Sequence, residues 1–140
     1  MDVLFIVRDA LASSLVGTLL TAIEIKRGGS DTAVLVTQEA LAALAGGTLG
    51  WPRELSGERR YTLADRAKAT DLPLRGRGAS RRIDALGIIA KARDAGVPLY
   101  ACPIWTSLLG LEAAPDGLQA LDTDGLSSLI NDAEKVIGTL

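Results

Sequence analysis

With 140 residues, the chain is long enough for one domain with a hydrophobic core, and its 48% apolar and 23% charged residues are typical of a globular protein. A net charge of −2 gives no indication of nucleic-acid binding, and a single cysteine excludes an internal disulfide and favours a cytoplasmic location. The absence of histidine excludes Ser-His and Cys-His catalytic pairs and removes the most common metal ligand, so we predict no metal site.

Two strand–helix pairs open the chain. The predicted elements are a strand at Val3–Val7, a helix from Ala10 to about Arg27, a strand at Ala33–Val36 and a helix at Gln38–Ala45. Both strands are continuous apolar runs, typical of strands buried on two faces, and Asp9 and Thr37 can cap the helices that follow. The first helix carries Ser, Thr and Glu residues, so it is not predicted to span a membrane. Strands and helices in alternation predict a parallel sheet.

An irregular basic segment, residues 48–79, follows the second helix. Between Trp51 and Arg82, nine Lys or Arg residues stand against four acidic ones, and the rest of the chain is acidic. A short helix around Leu63–Thr70 is compatible with the sequence. The segment could bind an anion, contact an acidic partner or be solvated. Gly76–Ser80 is similar to a phosphate loop but lacks its Gly-Lys-Ser/Thr ending, so the signal is weak. Anion or nucleotide binding by the Arg75–Arg82 loop is the weakest of the hypotheses, and no cofactor is predicted.

The second half of the chain continues the alternation. The predicted elements are a helix from Ser80 to about Ala95, a strand at Val97–Ala101, a helix at Pro103–Leu109, a strand at Leu118–Leu121 and a helix from Thr123 or Asp124 through Ile137. We therefore expect a single doubly wound α/β domain of the flavodoxin-like kind. It has a mostly parallel sheet of four or five strands, with helices on both faces.

Cys102, the only cysteine, is predicted to lie at a strand-to-helix turn. Pro103 is a preferred first residue of a helix, and the unpaired N–H groups and dipole of a helix start favour a negatively charged sulfur, the nucleophilic form of cysteine. The second cysteine of a Cys-x-x-Cys motif is missing, so an oxidised Cys102 cannot form an internal disulfide. The alternative is that Cys102 packs in the core, as free cysteines commonly do.

Further candidate site residues follow from the rule that ligands bind outside the carboxyl ends of parallel strands. Arg8 could stabilise a bound anion, or it could be an ordinary surface charge. Asp9, Thr37 and Gln38 could supply polar contacts or could only cap helices. Trp105, three residues after the cysteine, could shield the sulfur or only pack. Together with the cysteine, these residues form the predicted site.

The segment Ala-Cys-Pro-Ile-Trp-Thr-Ser-Leu-Leu-Gly-Leu, preceded by Ala-Gly-Val-Pro-Leu-Tyr, resembles the cysteine segment of the DsrE/DsrF-like family of sulfur-relay proteins. The start, Val-Leu-Phe-Ile-Val-Arg-Asp, and the order of elements also agree, so the resemblance covers most of the chain. Only Tyr100–Leu111 is specific, and the basic segment has no counterpart. In the best-understood branch the relay cysteine precedes the helix that is predicted here to start at Ser80, and this chain has Gly78-Ala79-Ser80 there. Cys102 matches the other cysteine position, which is found in less characterised members.

The resemblance implies a small DsrE-like α/β fold that assembles into homo-oligomers, often trimers or hexamers. It also implies that Cys102 accepts sulfane sulfur as a persulfide from a donor protein and passes it to an acceptor protein. This is a sulfurtransferase-type activity that needs no cofactor. The alternative, on the same fold, is a non-enzymatic oligomeric binding or assembly module in which Cys102 is structural.

Overall fold

The computed structural model describes residues 1–74 and 85–138. Within these ranges the chain forms β1 (Val3–Val7), α1 (Ala12–Arg27), β2 (Thr32–Val36), α2 (Gln38–Gly46), α3 (Glu58–Ala69), α4 (Ala85–Asp94), β3 (Leu99–Ala101), α5 (Pro103–Leu108), β4 (Gln119–Ala120), α6 (Thr123–Asp132) and β5 (Lys135–Ile137). A single turn of 3-10 helix, Arg53–Leu55, lies between α2 and α3. None of the helices in these ranges combines the length and the apolar character needed to cross a bilayer.

The five strands of the described residues form one sheet in the order β4-β3-β2-β1-β5, and every neighbouring pair is parallel. The register aligns Val7 with Val36 and Val36 with Ala101, so β1, β2 and β3 end side by side. We call this end of the sheet the carboxyl edge. Because β1 to β4 advance in one direction and β5 returns beyond β1, right-handed connections place helices on both faces. The predicted doubly wound α/β fold is confirmed.

Alternate residues of the strands build two cores on opposite faces of the sheet. The larger core joins Phe5 of β1 to Leu19 of α1 and Ile88 of α4. The smaller core consists of four buried residues with two leucines of α6 packed against them, namely Leu4, Ala33, Leu35 and Cys102 with Leu126 and Leu129. We call the side of the sheet that carries the smaller core the α6 face.

Asp9 stabilises the start of α1, although the helix begins at Ala12, two residues later than predicted. Its carboxylate accepts the Leu11 N–H through Oδ1 at 3.0 Å and the Ser14 hydroxyl through Oδ2 at 2.9 Å. The Ala12 N–H donates to the Gly50 carbonyl at 2.7 Å. This last bond fastens the loop after α2 to the first turn of α1.

The basic segment is more regular than the sequence predicts. The helix expected around Leu63–Thr70 is α3, which covers Glu58–Ala69. Only two small residues of α3, Ala64 and Ala67, are buried, so its apolar periodicity is weak. The phosphate-loop-like stretch at residues 76–80 and the predicted start of the next helix both lie outside the described residues.

The prediction that the last helix continues to Ile137 is wrong. α6 ends at Asp132, and Ala133 adopts an extended backbone with φ −75° and ψ 129°. The chain then pairs with β1 as the parallel strand β5. The N–H of the first β5 residue donates to the Asp2 carbonyl at 3.0 Å. The physical reason is that the unpaired side of β1 supplies hydrogen bonds that no local helix signal reveals.

Candidate functional site

The carboxyl edge brings the three loops of the predicted site side by side. Arg8 follows β1, Thr37 follows β2 and Cys102 follows β3, at equivalent positions of the register. The Thr37 N–H donates to the Val7 carbonyl at 3.0 Å. The Cys102 N–H donates to the Val36 carbonyl, also at 3.0 Å. The strands therefore fix the relative positions of these backbone turns.

Cys102 lies at the predicted junction of strand and helix, with its side chain on the α6 face. It is 4% exposed and belongs to the smaller core with Leu4, Ala33 and Leu35. Its carbonyl accepts both the N–H of Thr106, at 2.9 Å, and the hydroxyl of Thr106, at 2.8 Å. No described residue forms a hydrogen bond with its sulfur. The thiol is therefore buried among apolar side chains beneath a well-bonded turn.

The helix α5 carries Trp105 inward and two apolar residues outward. Trp105 is half-buried and packs against both cores, including the smaller core that holds Cys102. Ile104 and Leu108, one helical turn apart, are 50% and 68% exposed. α5 has only six residues and begins with Pro103, which has no N–H to donate toward the sulfur.

Arg8 and Asp9 differ in how far they are free to bind a ligand. Arg8 is exposed, and the described residues offer its guanidinium no ion pair. Both carboxylate oxygens of Asp9 already accept hydrogen bonds at the start of α1. In the described part of the chain, neither side chain is hydrogen-bonded to the sulfur of Cys102. Arg8 thus remains available for an anion, whereas the carboxylate of Asp9 is already bonded to Leu11 and Ser14. The prediction that Asp9 caps α1 is wrong, because the N-cap residue is Leu11.

Thr37 and Gln38 form a strained turn between β2 and α2. Thr37 precedes the helix with an extended backbone, yet its side chain makes no hydrogen bond to the described helix start. Gln38 has φ +51°, in the left-handed region that residues with a Cβ rarely adopt. Strain of this kind is found at functional sites and at sharp turns. Nothing in the residue type of Gln38 signals this conformation.

Two surface clefts of the described chain lie away from these residues. One, of about 510 Å³, is lined by apolar side chains such as Leu44 and Leu86, with Asp116 as its charged residue. The other, of about 630 Å³, lies beside Lys26 and Lys91. Across the described ranges, no three Cys, Asp or Glu side chains converge in the manner of a metal site.

Sequence reasoning did not single out a contact within the basic segment, between Trp51 and Arg60. The guanidinium carbon of Arg60 lies 5.1 Å from the centre of the Trp51 ring, within the range of a cation–π interaction. Burial lowers the pKa of Arg60 because the charged form loses part of its hydration. A Trp and an Arg nine residues apart form no local motif, so only the tertiary structure reveals this pair.

These features define an α/β protein with a DsrE-like fold. The chain is similar in structure to the ychN protein from E. coli: its crystal structure matches with a TM-score of 0.58, covering 99% of each chain at 18% sequence identity. No family model matches the sequence, and no curated protein matches it significantly. A similarity at this level of identity establishes the architecture and assigns no role to Cys102.

Proposed function

We propose that this protein is a sulfur-relay protein of the DsrE/DsrF-like kind, with Cys102 as the sulfur carrier. One observation carries the proposal: the only thiol of the chain stands at the carboxyl edge, directly after β3. Ligands of parallel α/β sheets bind outside this edge. The DsrE-like fold supports the same assignment. Thiols are kept reduced in the cytosol, so we propose a cytoplasmic location.

The proposed step transfers one sulfur atom without net oxidation or reduction. The thiolate of Cys102 attacks the outer sulfur of a donor persulfide, R–S–SH. A new S–S bond forms at Cys102, the S–S bond of the donor breaks, and the donor leaves as a thiolate. Cys102 then carries the persulfide, and a thiolate of the acceptor protein removes the outer sulfur in the same way.

The burial of Cys102 sets a condition on this reaction. At 4% exposure, the sulfur cannot meet a donor while the smaller core is closed. α5 is the element whose movement would uncover the sulfur, because the helix is short and its Trp105 packs against the smaller core that holds Cys102. Short surface helices with exposed faces open locally at a lower free energy than core strands do. We therefore expect slow loading that is limited by opening of α5.

Persulfide loading of the folded protein tests the proposal. After incubation with glutathione persulfide, the intact mass of the folded chain should rise by about 32 Da, one sulfur atom. Cys102→Ser removes the only cysteine and serves as the control, which must gain no sulfur. A mass increase seen only after unfolding in urea would contradict the proposal, because the folded protein would then not be a carrier.

A second candidate function is a non-enzymatic assembly module built from several copies of this chain. Two observations favour it. Cys102, which precedes α5, is buried, and Ile104 and Leu108 of α5 are apolar residues exposed to solvent. An exposed apolar pair of this kind is suited to packing against a second copy. Under this function, Cys102→Ser should leave the oligomeric mass and partner binding unchanged, whereas a relay protein would lose all sulfur transfer.

A further inference from the structure

The contact between Trp51 and Arg60 leaves hydrogen-bond donors without acceptors. Nε and Nη1 of Arg60 and Nε1 of Trp51 are shielded from solvent, and no described residue accepts a hydrogen bond from any of them. The two ion pairs of the described residues, Lys26–Asp31 and Arg27–Glu24, lie elsewhere. Buried donors in proteins are nearly always paired, so an unpaired group requires an explanation.

All three unpaired groups are donors, and one of them belongs to a cation. A guanidinium is planar and presents two edges, each with a pair of N–H groups that fits an oxyanion. Nε lies on one of these edges and Nη1 on the other, so an oxyanion approaching either edge meets an unpaired donor of Arg60. The indole N–H of Trp51 adds a third donor in the same contact.

The surrounding backbone holds this pair near the carboxyl edge. The residue before Trp51, Gly50, forms an isolated parallel bridge with Leu11 and accepts the Ala12 N–H at 2.7 Å. Trp51 also packs against the larger core. Arg60 itself is half-buried, so part of its long side chain reaches solvent. Because the unpaired N–H groups are shielded, this side chain has to rotate before one of them can face an incoming anion.

We infer that Trp51 and Arg60 form a binding site for an oxyanion, with Arg60 as the charged donor and Trp51 as its stacking platform and second donor. This inference goes beyond the sulfur-relay proposal and does not depend on Cys102. The ligand class is a small anion with at least two oxygen acceptors, such as a phosphate, a sulfate or a carboxylate.

Titration of Trp51 fluorescence tests the site. Trp105→Phe leaves Trp51 as the only tryptophan of the chain. In this background, sodium phosphate, sulfate and acetate are titrated at an ionic strength held constant with chloride. We expect a saturable change for at least one of the three anions. Saturation by acetate alone would identify a carboxylate ligand, and saturation by phosphate or sulfate at lower concentration would identify a tetrahedral oxyanion.

Two neighbouring arginines provide a matched pair of variants. Arg60→Gln should weaken the binding by about tenfold or more, because a hydrogen bond to a charged group is lost. Arg59→Gln removes the same charge from an exposed neighbour and should leave the binding unchanged. If Arg60→Gln does not fold, Arg60→Lys keeps the charge without the planar fork, and it too should bind more weakly.

Three results would overturn the inference. The first is the absence of a saturable signal with every anion in the Trp105→Phe protein. The second is equal weakening by Arg59→Gln and Arg60→Gln, which would indicate a diffuse effect of charge. The third is unchanged binding by Arg60→Lys, which would show that the planar guanidinium is not recognised.

Discussion

Side chains of β3 point alternately to the two faces of the sheet, and Cys102, which follows the strand, continues this alternation. The alternation determines on which face its sulfur lies. Leu99 and Ala101 belong to the larger core, whereas Tyr100 and Cys102 lie on the α6 face. The position of Cys102 after a strand is predictable from the Pro103 that follows it. Its burial is not, because the residues packed against this core include Leu126 and Leu129 of α6, an element more than twenty residues further along the chain, as well as Trp105 of α5.

Trp105 is the side chain whose removal should expose the sulfur. We expect Trp105→Ala to increase the rate of N-ethylmaleimide addition to Cys102 in the folded protein by about tenfold or more, because a lower opening free energy raises the open population. The rate is measured by mass spectrometry under native conditions. Ile104→Ala is the control, since Ile104 is half exposed and its removal should change the rate little.

Equal rates in the two alanine variants would contradict the role of Trp105 as a cover. A rate in the unmodified protein as fast as that of free cysteine would contradict the burial of the sulfur itself. Either result would also remove the argument that opening of α5 limits sulfur loading.

Gln38 is the second residue with a property that its identity does not reveal. Its φ of +51° costs a residue with a Cβ about 1–2 kcal/mol. We expect Gln38→Gly to raise the free energy of unfolding by up to about 1 kcal/mol, because glycine adopts this conformation without steric cost. Gln119→Gly, in the extended strand β4, should instead lower it by about 0.5–1 kcal/mol. Urea denaturation measures both changes, and a loss of stability in both variants would contradict the strain at Gln38.

At the scale of elements, local patterns predict the helices and strands of the larger core well. Val3–Val7 and the second strand are apolar runs whose burial on both sides matches their sequence. The end of the chain is different, because Ala133 and Ile137 fit a helical spacing. Their backbone is nevertheless extended or paired, since β1 has an unpaired side where β5 can bond. A three-residue strand has too little pattern to compete with a helix signal.

The pairing of β5 with β1 should be sensitive to proline at its first residue. Lys135→Pro removes the N–H that donates to the Asp2 carbonyl at 3.0 Å. We expect the free energy of unfolding to fall by about 1 kcal/mol or more, because a backbone hydrogen bond is lost. Lys135→Ala keeps the N–H and should change stability by about 0.5 kcal/mol or less. If both variants lose the same stability in urea, the backbone bond is not what matters at this position.

At the scale of the whole molecule, the alternation of elements predicts the parallel sheet and its carboxyl edge, where Arg8, Thr37 and Cys102 follow neighbouring strands. The prediction of the sheet succeeds because connections between parallel strands of one sheet are almost always right-handed. The Trp51–Arg60 contact is not predictable in the same way. It depends on how the basic segment folds back on the start of α1, through the bond from Ala12 to Gly50.

The exposed apolar face of α5 leads to a prediction about assembly. Leu108 is 68% exposed, and a second copy packed there would remove that apolar surface from water. We therefore expect light scattering to give a solution mass larger than the 14.6 kDa of a single chain, at a whole-number multiple of it. Leu108→Glu should shift it toward a single chain, because a buried carboxylate without a partner is costly. Leu86→Glu changes a leucine of similar exposure, 59%, on α4 and should keep the mass. A single-chain mass for the unmodified protein, or equal dissociation by both variants, would contradict assembly through α5.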